Sequence, residues 1–486
     1  MNSRMGDRAG VRLIMLLVLV ASTSTLAHAV GSQGLMQKPA VAAAIQVLDA
    51  WIEATVSDRE QPGLSIGIVY DQDLIWAKGY GFADLQQRVP AAPATVYRIG
   101  SISKLFTATA IMQLRDAGLL RLDDPVARYL PWFTLKHLFA QGPAITITHL
   151  LTHTSGLPRE SPLPYWNDLH FPTRDEMIRL LAEQEAVFPA ETEWKYSNLG
   201  MAIAGEIVSV VSDEPYARYI QRRILTPLGM SSTQVEPEPA LPGLAVGYGR
   251  RIPGRARQVT GFTDFGALAP AGNLASTVQD LARFASLQLR DGPLGGEQIL
   301  KGSTLREMQR VHWLRKDWRA GQGLGFVIRR IGEQVRVGLQ GAVSGYRAQI
   351  EIAPAEKLAV IVLTNADDGD ASRYVNQTFA IVGPPLARAT EPPKIVASPD
   401  PAWEKYIGAY IWGHSEVQVM LLNNQLTLVD PEAENPWESM VTLKPVGPDT
   451  FTMIGGQSNG EPLHFDMDAA GQVTRLTAGN YYRLRK

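Results

Sequence analysis

Ser101 and Lys104 stand three residues apart in "GSISKLFTATAIM", Gly100 to Met112, where an apolar stretch with helical spacing begins. Theirs is the only Ser-x-x-Lys in the chain. The spacing puts both side chains on one face of a helix's first turn. A serine hydroxyl is a poor nucleophile until a base takes its proton, and a desolvated lysine with a lowered pKa can be that base. The helix N-terminus adds partial positive charge and presents the Ser101 N–H to a developing oxyanion. The plain alternative makes Ser101 an N-cap and Lys104 a solvated first-turn residue.

A second polar group lies in "FPAETEWKYSNLGMAIAGEI", where Tyr196 and Asn198 fall between a proline-containing loop and an apolar helix. The tyrosine can relay a proton to a leaving group, and the asparagine can hold the lysine and a substrate amide. Tyr165 to Asn167 and Tyr374 to Asn376 share the Tyr-x-Asn spacing, so the tripeptide alone does not discriminate. Ser65 and Ser458 fit Gly-x-Ser-x-Gly, a pattern that works only on a sharp strand-to-helix turn. Ser65 sits in a strand-like run and Ser458 in a polar turn, so neither is expected to be a nucleophile. His149 and His153 are four apart without the glutamate of His-Glu-x-x-His, and the eight histidines form no metal set. Trp166, Trp194, Trp313 and Trp318 are expected in the core or on a cleft wall.

The elements that must position these groups belong to a long globular chain. Its 486 residues, 45% hydrophobic, suffice for a large core and more than one domain. A formal charge of -2 shows no basic excess, which excludes a nucleic-acid partner held by phosphate contacts; Arg250, Arg251, Arg255 and Arg257 read as a solvated loop. The absence of cysteine excludes disulfides, thiolate metal sites and a cysteine nucleophile. Arg4, Arg8 and Arg12, the apolar run Leu13 to Ala21 and Ala27-His28-Ala29 predict a signal peptide over residues 1–29, hence a periplasmic or secreted protein. That run is too short to span a bilayer and no membrane span is expected later.

After a helix over Val41 to Val56, Leu64 to Gly81 reads as a hairpin, Lys104 to Ala117 as a helix, and the stretch to about Met230 as helices and long loops. Strands return at Gly325 to Arg330, Val335 to Gly338, Gln349 to Ile352 and Leu358 to Thr364, and a last helix at Ala371 to Val382, so the sheet is built from both ends of a domain over 30–385. Prolines at 384, 385, 392, 393, 399 and 401 predict a semi-rigid linker over 386–400. Six short strand-like segments between Val417 and Thr477 predict an antiparallel barrel or sandwich over 401–486.

The segments "YRIGSISKLFTATAIMQL", "LDDPVARYLP", "ITITHLLTHTSGLP", "FPAETEWKYSNLG", "APAGNLASTVQDLARF" and "LTN" occur in an order that resembles the serine β-lactamase and penicillin-binding-protein superfamily, in its class C β-lactamase-like branch of D-peptidases and esterases. The likeness covers most of Pro62 to Asn365 and favours Tyr196 over its two look-alikes. It implies a mixed α/β fold, an antiparallel sheet flanked by helices plus a helical subdomain. It implies Ser101 as acylated nucleophile, Lys104 as its base, Tyr196 with Asn198 as proton relay and orienter, and His153 as support from behind. "YIGAY" and "FTMIGGQSNGEPLHF" resemble the small lipocalin-like barrel appended to some members.

The departure is at the third motif, where the family has Lys or His, a small residue and Gly, and this chain has Leu339, Gln340 and Gly341, followed by Gly345-Tyr346. The match makes the N–H of Ala342 the second oxyanion donor, a task any residue but proline can fill. Leucine supplies neither charge nor donor, so either Arg347 substitutes from along the strand or the substrate lacks the carboxylate read there. The expectation is an exported hydrolase without cofactor, cleaving a peptide amide or an ester through acyl-Ser101. The alternatives are a β-lactamase proper and a catalytically inactive penicillin-binding-like sensor.

Overall fold

The computed structural model describes residues 34–136, 139, 142–163, 165–290, 298–390, 400–412, 415–422, 425–430 and 440–486. They form two compact units, one within 34–390 and one within 400–486. The expected signal segment 1–29 and positions 391–399 of the expected linker lie outside the described residues.

Helix α1 (Pro39–Asp58) starts on proline, whose missing N–H is no loss at a helix start, and buries Val41, Leu48 and Ile52. The hairpin β1 (Gly63–Tyr70) and β2 (Asp73–Asp84) follows, with a short edge strand β3 (Val89–Pro90). Strand β4 (Tyr97–Arg98) delivers the chain to a 3-10 turn, Gly100–Ile102, that runs into α2 (Ser103–Asp116). Ten consecutive residues of α2, Ser103 to Met112, are buried, so this is a helix enclosed on all sides, not an amphipathic surface helix. Helices α3 (Ile147–Thr152) and α4 (Asn198–Ser212) pack with it. The chain returns through β5 (Ala275–Ser276), which pairs with β4, and α5 (Val278–Gln288).

Strands β6 (Trp313–Leu314), β7 (Ala320–Gln322), β8 (Val327–Ile331), β9 (Gln334–Val343), β10 (Tyr346–Ala353) and β11 (Leu358–Thr364) complete an antiparallel sheet of order β3-β2-β1-β11-β10-β9-β8-β7-β6. The first hairpin joins the later strands where Ile66 faces Val362 across β1 and β11, so the sheet is built from both ends of the unit. Strand alternation sends Ile66, Val360 and Val362 to one face, in one core with α1, and Ile361 and Leu363 to the other, against α5. One sheet thus carries a core on each side. Among the described residues α1 alone is long and apolar enough to cross a membrane, and its buried stripe packs on this sheet.

The last helix, α6 (Ala371–Thr390), corrects the expected end at 382 and the linker expected from 386. It runs through Pro384 and Pro385 because Val382 and Leu386, four apart, extend one buried stripe that outweighs two lost backbone hydrogen bonds. The arginine loop is also less free than expected: Arg251 bonds Glu60, and Arg257, only 8% exposed in its side chain, pairs with Asp368 at 2.6 Å.

The second unit is a closed eight-stranded antiparallel barrel: β12 (Gly408–Trp412), β13 (Ser415–Leu422), β14 (Gln425–Val429), β15 (Val441–Gly447), β16 (Thr450–Ile454), β17 (Pro462–Met467), β18 (Val473–Ala478) and β19 (Tyr481–Arg485). Tyr410 against Arg485 closes it. Tyr406, Tyr410, Phe451 and Phe465 pack together in its core, with Tyr406 stacked on Phe465 at 4.5 Å.

Candidate active site

Ser101 lies on the 3-10 turn and Lys104 one turn later at the start of α2. The Lys104 Nζ donates to Ser101 Oγ at 3.0 Å and to the carbonyl of Ala271 at 2.5 Å. Ser101 caps nothing, since neither the 3-10 turn nor α2 has a side-chain cap, and Lys104 has no exposed surface. The N-cap and solvated-lysine alternative therefore fails on both counts. Burial pushes the Lys104 ammonium below its usual range, and Tyr196 and Glu160 pull it back up. A lysine in this setting is prepared to exist as the free amine.

Tyr196 reaches the pair from 95 residues away, its hydroxyl 2.7 Å from Ser101 Oγ and its ring 5.0 Å from Lys104 Nζ. Its loop ends where Ser197 caps α4, accepting from the Gly200 N–H at 2.8 Å and donating to the Pro158 carbonyl at 2.6 Å. Behind it stands His153, at φ 58 just past α3, with its ring 4.5 Å from that of Tyr196 and Nδ1 accepting from the Ser197 N–H at 3.3 Å. Burial, with Lys104 and Arg315 adding to it, pushes the imidazole down to about 3. His153 is thus a neutral wall that fixes the tyrosine. His149 instead closes a capping box with Thr146 and bonds Glu191.

Two glycines bring strand β9 onto the nucleophile's turn. A Cβ on Gly341 would lie 1.9 Å from the Ile99 carbonyl oxygen and 3.3 Å from the Ser101 nitrogen. Gly100, at φ 51, could carry no side chain either, since a Cβ there would meet the Ala342 nitrogen at 2.6 Å. The backbones of Ser101 and Ala342 are therefore neighbours, and both residues line a cleft of about 600 Å³. Leu339 is buried on the same strand face as Gly341 and lines it too.

Two expectations need correction. Asn198 does not hold the lysine: its Nδ2 donates to Glu160 Oε1 at 2.7 Å, because Asn198 opens α4 against the loop carrying Glu160. Arg347 lines the cleft, but its Nη1 is committed to Asp367 Oδ1 at 3.1 Å and to the Val343 and Tyr346 carbonyls, so it is not a free stand-in for the missing cation. Glu160, Arg159, Arg315 and the Ala271 carbonyl went unread as site groups. Only Ala271 had a signal, inside "APAGNLASTVQDLARF". Ser65 bonds Tyr97 and the Ala92 carbonyl within β1, and Ser458 lies in the barrel unit. Of the tryptophans, Trp194 lines the cleft, while Trp166 and Trp318 are exposed and do not line it, against the expectation of core or cleft wall.

The Beta-lactamase family model matches residues 48–381. A "Beta-lactamase-like protein 2" of Dictyostelium discoideum is 29% identical over 332 residues, 66% of this chain and 59% of that one. "Protein flp" of Staphylococcus aureus (strain COL) is 35% identical over 188 residues, 39% of this chain and 38% of that one. The chain thus spans less than two thirds of these relatives' length. Among solved structures, the octameric penicillin-binding protein homologue from Pyrococcus abyssi aligns with a TM-score of 0.61 at 26% identity, over 91% of this chain and 100% of that one. A crystal structure of SurE shares the fold at TM-score 0.58 and 23% identity, over 92% of this chain and 100% of that one.

Proposed function

The chain belongs to the Beta-lactamase family, and from that premise we propose that it is a serine hydrolase that cleaves an amide or ester through an acyl-Ser101 intermediate. One observation carries the reading: a lysine with no exposed surface whose Nζ lies 3.0 Å from a serine oxygen. As Ser101 Oγ bonds to the carbonyl carbon, its proton passes to the Lys104 amine, directly or through the Tyr196 hydroxyl. The N–H groups of Ser101 and Ala342 hold the oxyanion. When the carbon–heteroatom bond breaks, Tyr196 protonates the leaving group and is reprotonated from Lys104. Water then adds to the acyl carbon, gives its proton to the same base, and releases the carboxylic acid and Ser101.

The substrate we put first is a peptide, of the D-residue-containing or cell-wall-derived kind, with simple esters as side substrates. Export through the N-terminal segment is part of the same reading. A β-lactamase proper is less favoured, because Leu339 removes from strand β9 the cation that family members place beside the tyrosine. The test is to treat the protein and Ser101→Ala with a fluorophosphonate probe and p-nitrophenyl acetate, and to locate the adduct by mass spectrometry. The expected result is an adduct on Ser101 and turnover that disappears in the variant. An unlabelled, inactive protein would leave a sensor in its place.

A further inference from the structure

Four arginines line the cleft, and three of them have carboxylate partners: Arg159 on Glu160, Arg329 on Glu351 and Arg347 on Asp367, each at 3.1 Å. Arg315 differs. Among the described residues it has no ion pair and no side-chain hydrogen bond, and its Nε is buried without a partner. Its guanidinium lies over the Trp194 ring, 3.9 Å from Cζ to ring centroid. Asp317, the acid nearest in sequence, is an exposed neighbour that accepts from the Arg319 N–H and makes no ion pair with it.

The backbone and the ring that carry the cation are also tied down. The Arg315 N–H bonds the Ala320 carbonyl at 3.0 Å across the β6–β7 turn. Trp194 is fixed in turn by Nε1 donating to Gln322 Oε1 at 3.3 Å and by an edge contact with His153 at 6.2 Å. A guanidinium over an aromatic ring keeps its outer Nη donors for a planar, two-oxygen anion. Trp194 is also 6.3 Å from Tyr196 by ring centroid, so this fork sits one aromatic ring from the reacting groups. Arg315 is half-buried, and a partly desolvated charge without an ion pair suits a site where the anion arrives with a ligand. At the strand position where charge would otherwise come from, the chain has Leu339.

The geometry points to Arg315, on its Trp194 platform, as the group that binds a carboxylate of the substrate. The cation of this cleft has moved from strand β9 to the β6–β7 turn, and the substrates are acyl donors bearing a carboxylate. This inference rests on the hydrolase reading for what the bound molecule does, and not for its binding.

Binding is therefore measured by calorimetry in Ser101→Ala, where no turnover intervenes, with the monoanilides of succinate, glutarate and adipate and their methyl esters. At the chain length that fits, the acid should bind roughly 10- to 100-fold tighter than its ester, the range one charge-assisted hydrogen-bonded contact spans. That preference should vanish in Ser101→Ala/Arg315→Gln and be intermediate in Ser101→Ala/Arg315→Lys, which keeps the charge without the fork and also serves should the glutamine variant not fold. Equal binding of acid and ester at every length, or an acid preference that survives loss of Arg315, would overturn the inference. Fluorophosphonate labelling of Ser101 without acid preference sinks this inference alone; acid preference without labelling sinks the hydrolase reading alone.

Discussion

Replacing Gly341 with alanine separates the placement of strand β9 from its stability. The new Cβ would lie 1.9 Å from the Ile99 carbonyl oxygen, whereas ordinary contact begins at 3.4 Å. Strand and turn must therefore part by about 1.5 Å, moving the Ala342 N–H away from Ser101, and misplacement on a 1 Å scale costs about 100-fold in rate. The same overpacking should cost about 1–3 kcal/mol of stability. Gly79→Ala is the matched control: its Cβ would meet the Ala91 carbonyl oxygen at 2.1 Å, in β2, and Gly79 does not line the cleft. Thermal unfolding should report a similar loss in both variants, while kcat/KM on p-nitrophenyl acetate and the rate of fluorophosphonate labelling, per folded molecule, should fall only in Gly341→Ala. Full activity in folded Gly341→Ala, or equal losses in both, would refute the argument that β9 must touch the nucleophile's turn.

Lys104 should be required for rate and costly for stability. Lys104→Met should lose at least about 1000-fold in kcat/KM, since the serine loses its base. In the wild type kcat/KM should rise with pH as the amine forms, with its midpoint below the usual lysine range, because burial lowers the folded pKa. Between that lowered value and about 10.4 the unfolded chain holds the extra proton, so wild-type stability climbs with pH there and is penalised below it. The stability of Lys104→Met relative to wild type should accordingly fall as pH rises towards 10.4; a pH-independent difference in melting temperature would contradict this. His153, pushed down to about 3, carries no charge at neutral pH. His153→Gln should lower kcat about tenfold by loosening Tyr196 while leaving the midpoint of the acid limb unmoved, and a shifted midpoint would make His153 a titrating participant.

Strand and helix positions were legible where one local pattern decided them. Gln425 to Val429 and Thr450 to Ile454, which alternate, and Leu358 to Thr364, a continuous apolar run, have the bounds their flanking turn residues suggest. The barrel's closing strands, β12 and β19, went unread: Tyr481–Arg485 is exposed or half-exposed at every position, so it shows no buried face to detect. Helix α6 was cut short at its prolines because local propensity says nothing of the core that Leu386 reaches.

The site divides along the same line. That Ser101 and Lys104 meet is written in their spacing, because residues three apart on a helix are neighbours wherever the helix lies. The residue order likewise leaves β9 with Leu339 and no cation. Packing alone makes Lys104 dry, brings Tyr196 in from 95 residues away, turns Asn198 to Glu160, and sets Arg315 over Trp194 without an ion pair. Desolvation and partner choice are set by what packs around a group, and in this chain those neighbours come from segments far apart along it.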